Sequence, residues 1–364
     1  MRPTRILLGH LASFGDCLFA TAVARQIKRD FPGCHLTWAV GSMYRGAIEC
    51  NPDVDDIWEV PLSRRDQTNP AWRRFEAEAR ARVRRGEFDE AFFTQIGPDN
   101  YQNFDGTIRA SIFRAYPRPI TVPVRPVVRL TEAEVAATRS FAEQHRLAER
   151  DHVILFECAS ESRQSFVTPA FAATVASLVT SQRYDTAVIL SSNARVEETP
   201  GNVIDGSVLS LRQNAELTKY CSLLVGCSSG VSWLCTSDWA KPLKTIQLLR
   251  RATSVFASMA HDAGYFGLPA AHIIEMTDCS EERVATCITT ALSGTFEDAR
   301  NTFHEQIPVR LDYYIEVFMR AVVRQFQPFK VLRSLSHVFR RYGIRPFLRY
   351  CADKLIPWGQ THHA

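Results

Sequence analysis

The chain has 364 residues, 46% of them apolar and 23% charged, a balance that excludes fibrous, disordered and membrane-embedded classes and leaves room for two domains and an extension. The net charge of +4 is unevenly spread: residues 306 to 364 hold ten Lys/Arg against three acids, so the remainder is slightly acidic. Ten cysteines are scattered with no C-x-x-C pair and no His partners at zinc spacing, which argues against a metal knuckle or a dithiol site and fits a reducing compartment.

In chain order, Arg5 to Gly9 reads as a strand, Asp16 to Phe31 as a helix stopped by Pro32-Gly33, and Leu36 to Val40 as the next strand, a βαβ unit. The apolar N-terminal stretch is broken by His10 and Asp16 and lacks a signal-peptide cleavage site. No window approaches the ~20 apolar residues of a spanning helix. A cytoplasmic protein is expected. Asp56 to Val60 and Ala91 to Gln95 are further strands, with a helix from Pro70 to Arg85 between them. Pro117 to Pro126 is a proline-dense extended stretch, followed by a helix that Thr131 and Glu134 open with the spacing of a capping box.

A second alternating series begins at His152 to Phe156 and continues through a helix at Pro169 to Ser181 and a strand at Thr186 to Leu190. A helix near Asn214 to Cys221, a strand at Ser222 to Gly226, a helix at Val231 to Trp239 and a strand at Leu243 to Leu248 complete it. Two βα series imply two parallel-sheet domains, with ligands bound beyond the carboxyl ends of the strands. The expected division is residues 1–150, 151–305 and a basic extension at 306–364.

Two strand-to-helix turns carry candidate chemistry. LASFGD, residues 11–16, places Asp16 where the free N–H groups of a helix start attract anions; it is either a helix cap or a base held where a substrate reaches it. The stretch matches neither the dinucleotide fingerprint nor an NTPase P-loop. Gly226-Cys227-Ser228-Ser229-Gly230 offers small residues, N–H groups and hydroxyls that hold a phosphate or simply form a capped glycine turn. Ser191 and Asn193, at the end of another strand, either touch the nucleotide or belong to a plain loop. Trp233 either stacks on a donor or fills the core.

Together these turns resemble a known family. Ser13-Phe14-Gly15-Asp16 and Asn51-Pro52-Asp53-Val54-Asp55-Asp56-Ile57 are similar to the S-x-G-D and N-P-x-V-D-x-V/I motifs of the heptosyltransferases, glycosyltransferase family 9. Residues 152–250 resemble that family's donor-binding domain. The resemblance implies an α/β fold of two Rossmann-like parallel-sheet domains facing a cleft, the GT-B type, with a basic helical tail here in addition. It implies sugar transfer from a nucleoside diphosphate-sugar, ADP-heptose-like, to lipopolysaccharide or another glycan, without cofactor or metal. Asp16 falls on the family's general base, with Ser13 and Gly15 on the acceptor-side loop. Ser229 and Gly230 fall on the phosphate turn. Ser228 stands where Asp is common and Trp233 where His is common; the family's Lys is missing, and Arg163 is the substitute cation. These departures favour a second reading, a catalytically degenerate relative that binds glycan or nucleotide.

From Leu311 onward apolar and basic residues alternate at helical spacing. Val331, Leu332, Leu335, Val338 and Phe339 share a face flanked by Arg333, Arg340 and Arg341. Such a helix lies on an anionic membrane, here through residues 310–356 on the inner face, or packs across the domains. No nucleic-acid reader motif accompanies the charge, so no nucleic-acid partner is expected.

Overall fold

The computed structural model describes residues 2–355 except 99, 159–163, 193–195, 197–201, 253–254, 313 and 317–326. Its first half is a four-stranded parallel sheet in the order β3-β2-β1-β4, formed by β1 (Arg5–Gly9), β2 (His35–Gly41), β3 (Asp56–Val60) and β4 (Glu90–Phe93). The helices α1 (Phe14–Asp30), α2 (Thr68–Arg84), α3 (Arg109–Arg114) and α4 (Glu132–Gln144) accompany it. The Thr131–Glu134 capping box is present as expected, with the Thr131 N–H donating to Glu134 Oε2 at 2.8 Å.

The second half is a six-stranded parallel sheet, β10-β9-β8-β5-β6-β7. Its strands are β5 (His152–Glu157), β6 (Thr186–Ser191), β7 (Val203–Asp205), β8 (Leu223–Gly226), β9 (Lys244–Leu249) and β10 (Ile273–Thr277). Around them lie α5 (Pro169–Gln182), α6 (Gln213–Leu217), α7 (Gly230–Leu234), α8 (Met259–Tyr265), α9 (Glu281–Ser293) and α10 (Phe296–Phe303). The helix expected to reach Trp239 ends at Leu234. The chain leaves it because Asp238 is drawn away, accepting from the Val128 N–H at 3.0 Å and pairing with Arg25 and Arg129.

Every strand pairs in parallel, so the sheet faces are covered and the strands read as apolar runs. Helix α1 is buried from Cys17 to Ala24 because it lies between the first sheet and the second half, touching α3 and α7. That is why CLFATAVA carries no charge and a single polar residue, Thr21, whose hydroxyl accepts from the Val127 N–H. The two halves are also tied by Arg212, which donates to Gly46 O at 2.7 Å and pairs with Glu134, and by the buried ion pair Arg109–Asp262.

In each sheet the strand order reverses beside the first strand of its series. The first sheet runs from β1 outward to β2 and β3, then returns to place β4 on the other flank of β1. The second runs from β5 to β6 and β7, then returns with β8. Ligands in open parallel sheets bind beyond such a reversal, at the carboxyl ends of the two diverging strands. LASFGD follows β1 and GCSSG follows β8, so both turns lie at these points.

The C-terminal segment forms α11 (Pro328–Tyr342) and α12 (Arg345–Leu355). It folds back onto the first half, where Phe104, Leu311, Tyr314, Ile315 and Val338 share a small core. The face expected for the tail helix is split: Val331, Leu335 and Val338 pack inward, while Leu332 and Phe339 are exposed. No described helix is long and apolar enough to cross a membrane.

Candidate functional site

The first turn is fixed from the neighbouring strand. Gln95, just beyond β4, presents Oε1 to the N–H groups of Leu11 (2.9 Å) and Ala12 (3.0 Å). Ser13 then serves as N-cap of α1, which begins two residues earlier than the sequence suggests. Asp16 is therefore not the cap residue. It occupies the third helical position, and its carboxylate reaches back to accept from the Ser13 N–H at 3.5 Å.

Asp16 is half-buried, and burial pushes its pKa up to about 6, against the opposing hydrogen bonds from Ser13 and the charge of Arg65. A carboxylate titrating there is ionised at neutral pH yet basic enough to accept a proton in a transition state. His10, immediately before the turn, is the opposite case. Its ring is fully buried against Thr94 Oγ1 (2.9 Å) and held neutral, its pKa pushed down to about 3 by burial.

The second turn is organised by a residue the motifs do not reveal. Glu157, the last residue of β5, is completely buried, and its carboxylate accepts from the Cys227 N–H (2.7 Å), the Val231 N–H (3.2 Å), Ser232 Oγ (2.6 Å) and Ser229 Oγ. The anion at this helix start is the protein's own. Gln247 on β9 accepts from the Ser228 N–H at 2.8 Å. Gly226 is required by this packing, since a Cβ there would stand 2.3 Å from Ser232 Oγ and 2.4 Å from Gln247 Nε2. Ser228 takes a left-handed φ of 52°, and its buried hydroxyl has no partner among the described residues. Among the described residues, Glu157 and Gln247 leave the Ser228 hydroxyl and the N–H groups of Ser229 and Gly230 without an acceptor.

The two turns meet. A Cβ on Gly230 would lie 3.3 Å from Phe14 of the first turn, and one on Gly15 would lie 3.7 Å from the Trp233 ring. Trp233 is only 7% exposed and packs edge-to-face on Phe19 with centroids 4.7 Å apart. It joins the core cluster of the first sheet, where its ring packs between the two halves. Ser191 ends β6 beside Glu157, and its carbonyl accepts from the Cys158 N–H at 3.0 Å. Arg163 and Asn193 lie outside the described residues.

Glu157, Gln95 and Gln247 escaped the sequence reading. The signal available was a polar residue closing an otherwise apolar strand, as in His152-Val153-Ile154-Leu155-Phe156-Glu157. Two surface cavities, of about 550 and 410 Å³, lie away from both turns, one against Trp72 and Phe93, the other against Phe113 and Tyr265.

Comparison with known proteins adds the fold. A glycosyl transferase family 9 structure from Veillonella parvula DSM 2008 superposes with a TM-score of 0.59 at 15% identity, over 80% of this chain and 97% of that one. The E. coli ADP-heptose lps heptosyltransferase II gives 0.50 at 13% identity, over 80% and 99%. A putative UDP-N-acetylglucosamine 2-epimerase from Listeria monocytogenes gives 0.51 at 9% identity, over 89% and 97%. The chain shares their fold. The resemblance read from the two turns is thus met by the architecture. No protein-family model and no curated sequence matches the chain.

Proposed function

We propose that this protein is a glycosyltransferase that moves a sugar from a nucleoside diphosphate-sugar to a hydroxyl of a glycan or glycolipid, with Asp16 as general base. The observation that carries this is the Asp16 carboxylate, raised to about 6 at the reversal point of the first sheet, on a turn whose neighbouring residues Phe14 and Gly15 meet Gly230 and Trp233 of α7. The acceptor O–H proton passes to Asp16 as the oxygen bonds to the anomeric carbon, and the bond to the diphosphate oxygen breaks. The departing charge falls to the Ser228 hydroxyl, the N–H groups of Ser229 and Gly230, and Arg163. An ADP-heptose-like donor and a lipopolysaccharide-like acceptor are the finer form of the proposal, supported by a fold shared with an ADP-heptose lps heptosyltransferase.

The test is nucleoside diphosphate release from a panel of donor sugars with glycolipid acceptors, by wild type and by Asp16→Asn. Loss of turnover with retained donor binding is expected; full turnover by the variant overturns the assignment. One observation favours a second reading: Glu157 already fills the helix start that would cradle the diphosphate. A protein that binds glycan without transferring sugar would show no thermal shift with any nucleoside diphosphate. A donor present at a hundred times its dissociation constant stabilises by ~2.7 kcal/mol, which such a screen detects.

A further inference from the structure

Residues 327 to 349 contain Lys330, Arg333, Arg340, Arg341, Arg345 and Arg349 and no acidic residue. Helix α11 divides this segment into two faces. Inward, Val331, Leu335, Val338 and Tyr342 join the small core on the first half, and the Ser334 hydroxyl donates to Phe104 O. Arg341 belongs to this anchored side, its guanidinium 4.2 Å from the Tyr265 ring centroid.

The opposite side is unlike an ordinary solvated helix face. Phe329 is 85% exposed, Leu332 62%, Ile344 56%, Leu348 54% and Phe339 39%. Arg333, Arg340, Arg345 and Arg349 are exposed alongside them. Large apolar side chains left in water beside arginines with no acidic residue between positions 327 and 349 cost solvation that an apolar layer with an anionic surface recovers. A second copy fits poorly, because a two-fold contact through this face brings the same arginines together, and residues 327 to 349 supply no carboxylate to separate them.

We propose that the outward face of α11 and α12 docks on a membrane bearing anionic phospholipid headgroups, with Phe329, Leu332, Phe339, Ile344 and Leu348 entering the headgroup boundary and the four arginines pairing with phosphates. This narrows the expected surface from residues 310–356 to one side of two helices, because Leu311 and Tyr314 are buried in the core. The docking does not depend on which reaction the two turns carry.

The experiment is flotation of the full-length protein with phosphatidylcholine vesicles and with vesicles that also contain phosphatidylglycerol, at low and high salt. Binding to the anionic vesicles alone, weakened by salt, is expected. Arg340→Gln with Arg345→Gln and Arg349→Gln should lower the partition coefficient about five-fold per charge, on the order of a hundred-fold in all. Phe329→Ser with Leu332→Ser should release the protein at unchanged net charge. Both residues are exposed, so circular dichroism should show both variants folded. Equal flotation on the two vesicle types, or unchanged flotation of both variants, overturns the proposal. So does a concentration-dependent dimer, or binding of a duplex oligonucleotide, that these substitutions abolish while wild type stays off vesicles.

Discussion

The turns after β1 and β8 occupy equivalent places, each at a reversal of strand order and each opening a helix, yet they are filled differently. In the first, the neutral amide of Gln95 takes two N–H groups of the incoming loop, and the one acid, Asp16, remains half-buried with a single long hydrogen bond from backbone. In the second, the Glu157 carboxylate takes two N–H groups and two hydroxyls, and the turn holds no second carboxylate among the described residues. One arrangement fixes backbone and holds a carboxylate in reserve; the other spends its carboxylate on the fold. A carboxylate in reserve is what general-base chemistry requires, which is the ground for proposing Asp16, on the first half, as the base.

The largest test of this contrast is Asp16→Asn. If Asp16 is the base, turnover should fall ~10²–10⁴-fold while donor affinity stays. In wild type kcat/KM should rise with pH through about 6 and level off above it, as the carboxylate ionises. Stability should run the other way. A raised carboxyl pKa means the folded state holds its proton more tightly than the unfolded chain does, so the group stabilises at low pH. That contribution is lost as pH rises from about 4 to 6, up to about 3 kcal/mol in all. Asp16→Asn should flatten this slope and raise the melting temperature near pH 8. A variant that loses activity and also melts earlier there would show a structural role instead.

Glu157→Ala should cost about 3–5 kcal/mol in denaturant unfolding, because three buried donors and the half-buried Ser229 hydroxyl lose their acceptor. The vacated helix start should then take an external anion, so inorganic phosphate should raise the variant's melting temperature more than that of wild type. Gln95→Leu, which removes a neutral acceptor from two N–H groups, should cost less, about 2 kcal/mol. It should also lower turnover by displacing Ser13 and Asp16. Equal costs for the two substitutions would erase the distinction drawn between the turns.

Local signals carried much of this architecture. Both βα series, the Thr131 capping box and the two glycine-bounded turns are legible because each is written within a few consecutive residues. What stayed hidden is pairing across the sheets. Glu157 meets Val231 74 residues away, and Gln95 meets Leu11 84 residues away, through strand adjacency that no local pattern encodes. Strand β10 also gave no signal, because Glu275 interrupts its apolar run. That carboxylate is buried to accept from Ser258 Oγ (2.8 Å) and the Ala260 N–H (3.1 Å) at the start of α8, the same device as Glu157. From sequence Trp233 reads more readily as a core residue than as a stacking platform, and Phe19 packs edge-to-face beside it.

The smallest expected effect concerns Ser228, where the two halves of the comparison pull apart. Its φ of 52° is a region where a side chain costs ~1–2 kcal/mol and glycine costs little. Its hydroxyl is buried without a partner among the described residues, an arrangement that adds little to the fold. Ser228→Gly should therefore stabilise the protein by about 1 kcal/mol, read as a rise of a few degrees in melting temperature. If the hydroxyl is kept for a ligand, the same substitution should weaken nucleoside diphosphate binding several-fold, the loss of one hydrogen bond to a charged group. A gain in stability with no change in donor affinity would leave the second turn purely structural, and the chemistry would rest on Asp16 alone.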